Sequence, residues 1–188
     1  MRKTVSKNVI LMAGTVIFSV GMTVLFGILF DRYGHWQFES AFVTFLTISY
    51  HFIMRLIVGE SVTLIYRKRE FNLNSAGFRL HKFESALYEK LKVKKWKKYA
   101  ITAKPYQFDV RKNSPEALLH NMAQAELAHR VIMVLSFVPL ILIIPYGAAG
   151  VFITTSVLAC LADMQFVIIE RYNRPRVLRL IEKNIYLR

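Results

Sequence analysis

Residues 9–30, VILMAGTVIFSVGMTVLFGILF, form a run of 22 residues without a charged side chain. A helix needs about 20 such residues to cross the roughly 30 Å of hydrocarbon in a bilayer. A signal peptide is the competing interpretation, since basic residues precede the run. The run is long for a signal peptide, however, and no small-residue cleavage site follows it. The sequence therefore predicts a retained transmembrane helix over residues 9–30.

Three further apolar runs are also long enough to cross a bilayer as helices. They cover about residues 40–66, 128–146 and 148–169. The last two are separated by a Pro-Tyr-Gly turn and are typical of a tight helical hairpin. The alternative, one long bent helix, would be far too long for a single crossing. We therefore expect an all-α, polytopic integral membrane protein, with four transmembrane helices in one membrane domain, 1–188.

Composition and the position of the basic residues predict the orientation of these helices. Hydrophobic residues make up 54% of the chain, yet 26 Lys and Arg stand against 12 Asp and Glu, a net charge of +14. The basic residues precede the first run, separate the second from the third, and follow the fourth. The positive-inside rule then predicts that both termini, the segment 67–127 and the tail 170–188 are cytosolic.

The basic segment 67–127 contains a second membrane signal. Four of its apolar residues recur at helical spacing among lysines: Phe78, Phe83, Leu87 and Leu91. This pattern predicts an amphipathic helix lying in the membrane interface. Lys95, Trp96 and Lys97 would lie at headgroup depth, where each Lys near an anionic surface contributes about 1 kcal/mol. A merely solvated charge run is the plainer alternative, and a nucleic-acid site is disfavoured because no known fold of that kind fits such an insert.

Ionisable residues within or beside the spans are candidates for function, because a charge inside a bilayer costs several kcal/mol unless it is paired or wetted. Glu126 and His129 are three residues apart and share one face of a helix, which Ser114 is expected to cap. The other candidates lie in spans two and four or just beyond span four: Arg55, Asp163, Arg171, Asn173, Arg174 and Arg176. The plainer alternatives are structural ion pairing or snorkelling for Arg55, a stop-transfer cluster for the last arginines, and an interfacial histidine satisfied by a neighbour.

The motifs of several enzyme classes are missing from the sequence. A dimetal site would need a second Glu-x-x-His pair, and neither a nucleophile elbow nor a glycine-rich nucleotide loop occurs. We therefore expect no metal and no cofactor. What remains is general-base catalysis, in which His129, oriented by Glu126, takes a proton from a hydroxyl or amine that attacks an acyl thioester. The nearby arginines would hold donor or headgroup phosphates.

Four blocks of sequence resemble one family. They are FE at 83–84, LKVKKWK at 91–97, AELAH at 125–129 and RYNRPR at 171–176. These blocks are similar to those of glycosyl-4,4'-diaponeurosporenoate acyltransferases, small bacterial membrane proteins of carotenoid pathways. The resemblance implies transfer of a fatty acyl group to a sugar hydroxyl of a glycolipid at the bacterial cytoplasmic membrane. The donor would be acyl-CoA or an acyl lipid.

The sequence thus predicts a membrane O-acyltransferase whose catalytic residues are His129 and Glu126. The predicted substrate-binding residues are the polar and aromatic ones near the inner membrane face: Arg55, Lys95, Trp96, Lys97, Asp163, Arg171, Asn173, Arg174 and Arg176. The expected partners are membrane lipids and an amphiphilic acceptor such as a glycosylated lipid, with no nucleic acid. Two alternatives stay open, namely a non-catalytic lipid-binding or scaffolding protein with a basic cytosolic face, and a small transporter.

Overall fold

The computed structural model of the chain describes residues 7–73, 75–100, 102 and 105–186, without the side chains of 7 and 183–186. Over these residues the structure is all-α and contains no strand. Four helical segments in the described part are long and apolar enough to cross a membrane: Asn8–Tyr33, Trp36–Tyr66, Pro115–Tyr146 and Ala149–Glu182. The predicted fold class is therefore confirmed. The basic residues Arg2 and Lys3, used to predict the orientation of the first helix, lie outside the described residues.

The four segments turn most of their apolar surface outward. In the most apolar window of each segment, between 6% and 33% of the residues are buried inside the protein. Large side chains such as Leu11, Ile17 and Ile144 stay more than two-thirds exposed. A water-soluble protein would bury many of these side chains, whereas lipid tails solvate them as well as a protein core does. The exposed surface of these helices thus suits hydrocarbon.

The first two helices are joined by a tight turn. Helix α1 spans Lys7–Tyr33 and helix α2 spans Trp36–Tyr66. Gly34 between them has φ +66°, a conformation that glycine adopts without steric cost because it has no Cβ. The ring of Phe26 stacks on that of Phe45 with centroids 5.7 Å apart, which holds the two helices side by side.

Two short helices follow in the segment between the second and third candidate spans. Helix α3 spans Lys82–Lys90 and helix α4 spans Val93–Trp96, which a 3-10 turn over Lys97–Tyr99 continues. Lys92 between them has φ +52°, a left-handed conformation that a lysine rarely adopts. The basic block LKVKKWK therefore forms a helix end, a sharp turn and a new helix start.

Helix α3 has two faces of opposite character. Glu84 and Tyr88 are buried, whereas Phe83 is 64% exposed and Leu87 is also exposed. This open apolar face is what an interfacial helix requires. Phe78 lies in a turn before the helix, so the prediction that it belongs to the same helix was wrong.

The last helices contain most of the candidate residues. Helix α5 spans Pro115–Leu135, and Ser114 caps it as predicted, since its Oγ accepts a hydrogen bond from the Ala117 N–H at 3.2 Å. The predicted third span, about residues 128–146, contains a 3-10 turn over Val138–Leu142, where Pro139 has no N–H to donate. Helix α6 spans Ile143–Tyr146, and helix α7 spans Ala149–Tyr186.

Helix α7, Ala149–Tyr186, is one continuous helix of 38 residues that includes Pro175. Gly147, with φ +67°, ends the helix before it and lets the chain reverse at the predicted Pro-Tyr-Gly turn. The basic block 171–176, expected in a tail after the fourth span, is therefore helical. Its side chains are spaced by helical geometry, so residues three and four apart share a face.

The chain divides into two compact units, which are described separately. The first comprises the described residues up to 58 together with 131–162. In this unit the Tyr50 hydroxyl donates to the backbone oxygen of Leu135 at 2.8 Å, and Arg55 donates to the backbone oxygen of Ala159 at 3.3 Å. Side chains of α2 are thus hydrogen-bonded to the backbone carbonyls of Leu135 and Ala159 within the same unit.

The first unit also contains an apolar groove of about 540 Å³. The Thr23 and Ser49 hydroxyls in its wall lie 3.3 Å from each other, and Thr23 also donates to the Ser19 carbonyl. The groove therefore presents hydrocarbon rather than unsatisfied polar atoms. The residues that line it are Val20, Thr23, Val24, Leu46, Ser49, Tyr50, Ile53, Met54, Ile57, Val58 and Leu135.

The second unit comprises residues 59–130 and the described residues from 163 onward. Its apolar core joins α5 to α7 through Leu118, Leu119, Met122 and Val177. Burial of four such side chains stabilises the contact by about 1.5–3 kcal/mol each. This core fixes the two helices on which the candidate catalytic residues lie.

Candidate functional site

A buried carboxylate forms the centre of the second unit. Glu126 of α5 is 0% exposed. Arg171 donates to its Oε1 at 2.8 Å, Arg130 lies 2.5 Å from the same oxygen, and Arg174 forms an ion pair with Oε2. A buried carboxylate is tolerated only when it is paired and hydrogen-bonded. Three guanidinium groups supply these partners to Glu126.

A second carboxylate shares one of these arginines. Arg171 donates through Nε to Oε2 of Glu84 at 2.8 Å, forms an ion pair with Oε1, and donates to the backbone oxygen of Arg79 at 2.9 Å. Because a guanidinium presents its donors in a rigid fork, Arg171 can bridge Glu84 on α3 and Glu126 on α5 at once. We call the five residues the arginine–glutamate cluster: Glu84, Glu126, Arg130, Arg171 and Arg174.

The surroundings of Glu84 keep it ionised. Burial alone would raise the pKa of its carboxyl, but hydrogen bonds from Arg171, from the Tyr88 hydroxyl at 2.6 Å and from the His81 backbone N–H at 2.9 Å lower it to about 2. Burial and the neighbouring carboxylate raise the pKa of Tyr88 to about 12. Tyr88 therefore remains a hydrogen-bond donor at neutral pH.

The cluster also holds the loop before α3. Arg174, 1% exposed, donates to the backbone oxygen of Phe78 at 2.7 Å, and Arg130 donates to that of Gly77 at 2.5 Å. Both guanidinium groups lie less than 6 Å from the centre of the Phe78 ring, where cation–π attraction adds to the hydrogen bonds. The arginines thus bind carboxylates, carbonyls and a ring within the protein.

His129, the predicted base, has Asp163 as its acidic partner instead of the predicted Glu126. His129 Nδ1 lies 2.8 Å from Asp163 Oδ1 on α7, and its ring stacks on Phe166 with centroids 4.5 Å apart. The side chain of His129 is 25% exposed and that of Asp163 is 2% exposed. A carboxylate accepts the hydrogen bond from Nδ1–H, so in the neutral form of the ring Nε2 carries the lone pair. We call these two residues the His–Asp pair.

The prediction that Glu126 orients His129 was therefore wrong. The two residues share a face of α5, but the Glu126 oxygens are bound by three arginines, two of them from α7. Charge-assisted bonds of this kind are about twice as strong as neutral ones. Glu126 thus points to the arginines while Asp163 reaches His129 from the other helix.

A third group of polar residues surrounds the ring of Tyr172. Lys97 donates to Asn173 Oδ1 at 2.5 Å and lies 4.9 Å from the ring centre. Arg176 lies 4.2 Å from the same centre and donates to the Tyr172 hydroxyl at 2.5 Å. Burial lowers the pKa of Lys97, and the charge of Arg176 lowers it further, against an opposing effect of Glu170. We call these residues the Tyr172 group: Lys97, Tyr172, Asn173 and Arg176.

The remaining predicted residues lie apart from these three groups or near their edges. Arg55 belongs to the first unit, where it donates to the His51 and Ala159 carbonyls. Lys95 is exposed, and the Trp96 indole donates to the Leu91 carbonyl at 3.0 Å. Among the residues that the structure describes, no three His, Cys, Asp or Glu side chains gather as a metal site would require.

Several residues of these groups were not predicted to have a role. Glu84 lies in a block that carried the family resemblance, but nothing in its local sequence indicates that Arg171 binds it. Arg130 follows Glu126 by four residues, a spacing that favours an ion pair on a helix and was a usable signal. Phe166 and Tyr172 are aromatic residues on a long helix, and sequence spacing alone does not tell such residues from packing side chains.

Together, the four helices of spanning length and the buried ionic groups define an α-helical membrane protein with a polar site in its second unit. The family model described as glycosyl-4,4'-diaponeurosporenoate acyltransferase matches residues 62–183. This is more than half of the chain, and the chain therefore belongs to that family, as its sequence blocks suggested. No curated protein and no solved structure matches the chain.

Family membership establishes acyltransferase activity in general terms. All three groups of polar residues, from Glu84 to Arg176, fall within the matched range 62–183. Helix α1 and most of α2 precede it. The second unit, rather than the first, is therefore the part of the chain that the family model describes most fully.

Proposed function

We propose that this protein transfers a fatty acyl group to a hydroxyl of an amphiphilic acceptor, such as a glycolipid, with His129 as the general base. The hydrogen bond between His129 Nδ1 and Asp163 at 2.8 Å supports this role. It fixes the ring orientation and the tautomer, so that Nε2 is the nitrogen that accepts a proton. His129 is partly exposed while Asp163 is almost fully buried, as expected of a base that a second residue positions.

The proposed reaction is direct transfer without a covalent enzyme intermediate. The acceptor hydroxyl oxygen attacks the carbonyl carbon of an acyl thioester while His129 Nε2 takes the hydroxyl proton. The C–O bond forms and the C–S bond breaks, and the leaving thiolate receives the proton from the imidazolium. The Asp163 carboxylate stabilises the imidazolium between these two transfers, as a buried carboxylate does in other His-based catalysts.

We assign the arginine–glutamate cluster a supporting role. Arg171 and Arg174 were expected to bind substrate phosphate, but their donors are directed at Glu84, Glu126 and backbone carbonyls. They are therefore better suited to hold α3, α5 and α7 together. Glu126, expected to be catalytic, acts in this proposal by anchoring the arginines and so fixing the helix that carries His129.

The charge distribution supports a site at the cytosolic face of a bacterial cytoplasmic membrane. The second unit contains the basic segment that the positive-inside rule places in the cytosol. Phe83 and Leu87 on the open face of α3 would lie in the interface and bring the site to the level of lipid headgroups. Acyl-CoA from the cytosol or an acyl lipid from the same leaflet would then reach His129 as donor.

The test is acyl transfer by purified protein in lipid nanodiscs, followed by mass spectrometry of the acylated acceptor. His129→Ala should lower kcat by about 10²–10⁴-fold, the usual contribution of general-base catalysis. His120→Ala is the matched control, because His120 lies on the same helix but its ring contacts that of Phe71, with centroids 5.2 Å apart. An unchanged rate in His129→Ala would contradict the proposed base. Absence of acyl transfer by the wild-type protein would instead favour the lipid-binding or scaffolding alternative.

A further inference from the structure

Two basic side chains of the Tyr172 group lie against one aromatic ring. Lys97 comes from the 3-10 turn after α4, and Arg176 comes from α7. Their charged groups lie 4.9 and 4.2 Å from the centre of the Tyr172 ring. Each position allows cation–π attraction, so the ring holds two cations that would otherwise repel each other.

The charges of these two side chains are balanced less fully than those of the cluster arginines. Arg171 and Arg174 each form an ion pair with a carboxylate. Lys97 is hydrogen-bonded to a neutral amide oxygen and Arg176 to a phenol. The nearby acid that acts on Lys97 is Glu170, whose effect opposes that of Arg176. An anion placed between Lys97 and Arg176 would relieve their mutual repulsion.

We infer that Lys97, Arg176 and Asn173 form a binding site for a phosphate group carried by a substrate of the acyl transfer, with the Tyr172 ring as its floor. This inference rests on the proposed function, since it names a group that the donor or the acceptor carries. Lys97 has three donors and Arg176 has five, and one of each is used within the protein. The Asn173 amide accepts from Lys97 through its oxygen, which leaves its NH₂ group to donate.

The chemistry of the donors favours phosphate over a carboxylate or a neutral sugar. A guanidinium binds phosphate oxygens through two parallel hydrogen bonds, and an ammonium adds a compact charge. Arg176 is exposed and Lys97 is partly buried, so both side chains keep surface that a phosphate group can reach. Two sources of phosphate share this chemistry, namely a lipid headgroup and the phosphates of coenzyme A.

The test measures binding of two probes to the purified full-length protein in dodecyl maltoside micelles. Dodecyl phosphate represents a headgroup, and coenzyme A represents the donor. The variants Lys97→Gln and Arg176→Gln should each weaken binding of one of these probes about tenfold or more, as expected for loss of a charge-assisted hydrogen bond. The probe that shows the effect identifies the source of the phosphate.

Matched charge removals separate this site from the general attraction of a basic protein. Lys98→Gln and Arg179→Gln remove one exposed positive charge each, one residue after Lys97 and three residues after Arg176, and should change the affinity less than twofold. Equal losses in all four variants, or no measurable binding of either probe by the wild-type protein, would overturn the inference. Helix content and thermal unfolding of each variant show whether a loss reflects misfolding, and a Tyr172→Phe variant, which keeps the ring, should retain most of the binding.

One further variant keeps the two hypotheses apart. His129→Ala should bind the phosphate probes as the wild-type protein does, because His129 is not part of the Tyr172 group. If His129→Ala binds the phosphate probes normally and also transfers acyl groups at the wild-type rate, the proposed base is wrong and the phosphate site stands. If it loses turnover while Lys97→Gln and Arg176→Gln bind the probes with full affinity, the base stands and the phosphate site is wrong.

Discussion

Among single residues, His129 is the one whose surroundings decide the proposed catalysis. Asp163 is a carboxylate within a helix of membrane-spanning length, where an unpaired charge would cost several kcal/mol. Its hydrogen bond to His129 offsets part of that cost, and stacking on Phe166 fixes the plane of the imidazole. The hydrogen bond and the stacking together restrain the imidazole of His129 and leave Nε2 to accept the proton in the proposed reaction.

Asp163→Asn should lower kcat with little change in KM. The amide has nearly the size of the carboxylate but does not stabilise the imidazolium, and it allows the wrong tautomer. We expect a loss of about 10²–10⁴-fold in steady-state acyl transfer. Asp163→Glu, which restores the charge, should recover part of the rate. A change confined to KM would show that Asp163 binds substrate, as the sequence had predicted, rather than positioning the base.

Glu84→Gln should destabilise the protein and make its stability less dependent on pH. The pKa of Glu84 is lowered from an ordinary value of 4.5 to about 2. Its contribution to stability is therefore present above pH 4.5 and lost as the pH falls from there to about 2. Breaking such a buried pair costs about 3 kcal/mol.

Thermal unfolding of the detergent-solubilised protein at pH 6 and pH 3 measures this effect. The wild-type Tm should fall between these pH values by more than that of Glu84→Gln. Glu89→Gln is the control, since Glu89 lies on the same helix but is exposed. Equal pH dependence in wild type and Glu84→Gln would show that Glu84 is not held in its charged form by Arg171.

At the scale of elements, α3 is a helix whose two faces have separate partners. Glu84 and Tyr88 connect it to the arginine–glutamate cluster, while Phe83 and Leu87 remain uncovered. A helix of nine residues is too short to be stable alone. We therefore expect that the cluster stabilises one face and that lipid headgroups and upper acyl chains cover the other.

Spin labels on α3 test this expectation. In a Cys160→Ser background, a label at Leu87→Cys should collide with oxygen, which concentrates in lipid, more often than a label at Glu89→Cys. The Glu89 label should be more accessible to a water-soluble nickel complex. Electron paramagnetic resonance power saturation in nanodiscs measures both. If the two sites show the same ratio of accessibilities, α3 does not lie in the interface.

The elements were more predictable than the contacts between them. Spans of about 20 apolar residues, the cap at Ser114 and the turn at 145–147 are local features, and the structure contains each of them. The partner of His129 was not predictable, because Asp163 is 34 residues away and reaches it only through the packing of α5 against α7. The same reason explains why Glu84, 87 residues from Arg171, was given no role.

The helical form of the basic tail was not predictable for a similar physical reason. Residues 170–176 are mostly charged or polar and include a proline, and the sequence assigned them to the tail without predicting its secondary structure. In the structure α7 continues through them, because Arg171 and Arg174 form ion pairs with Glu84 and Glu126. Tertiary contacts of this kind override local helix preference.

At the scale of the whole molecule, the charge distribution predicts which side of the membrane each segment faces. An impermeant maleimide should label His35→Cys in intact cells, in a Cys160→Ser background, because His35 lies in the turn between α1 and α2 and is exposed. Lys98→Cys should be labelled only after the cells are opened. The reverse pattern would place the second unit outside the cytosol and would exclude acyl-CoA as its donor.

The most direct test of acyl transfer at His129 is mass spectrometry of lipids from host cells lacking the protein or expressing the wild type, His129→Ala or His120→Ala. We expect one glycolipid species, heavier by a fatty acyl group, that appears with the wild type and His120→Ala. That species should be lost without the protein and with His129→Ala. If the His129→Ala cells contain this species at the level of wild-type cells, with the variant present in the membrane at the wild-type level, His129 is not the catalytic base.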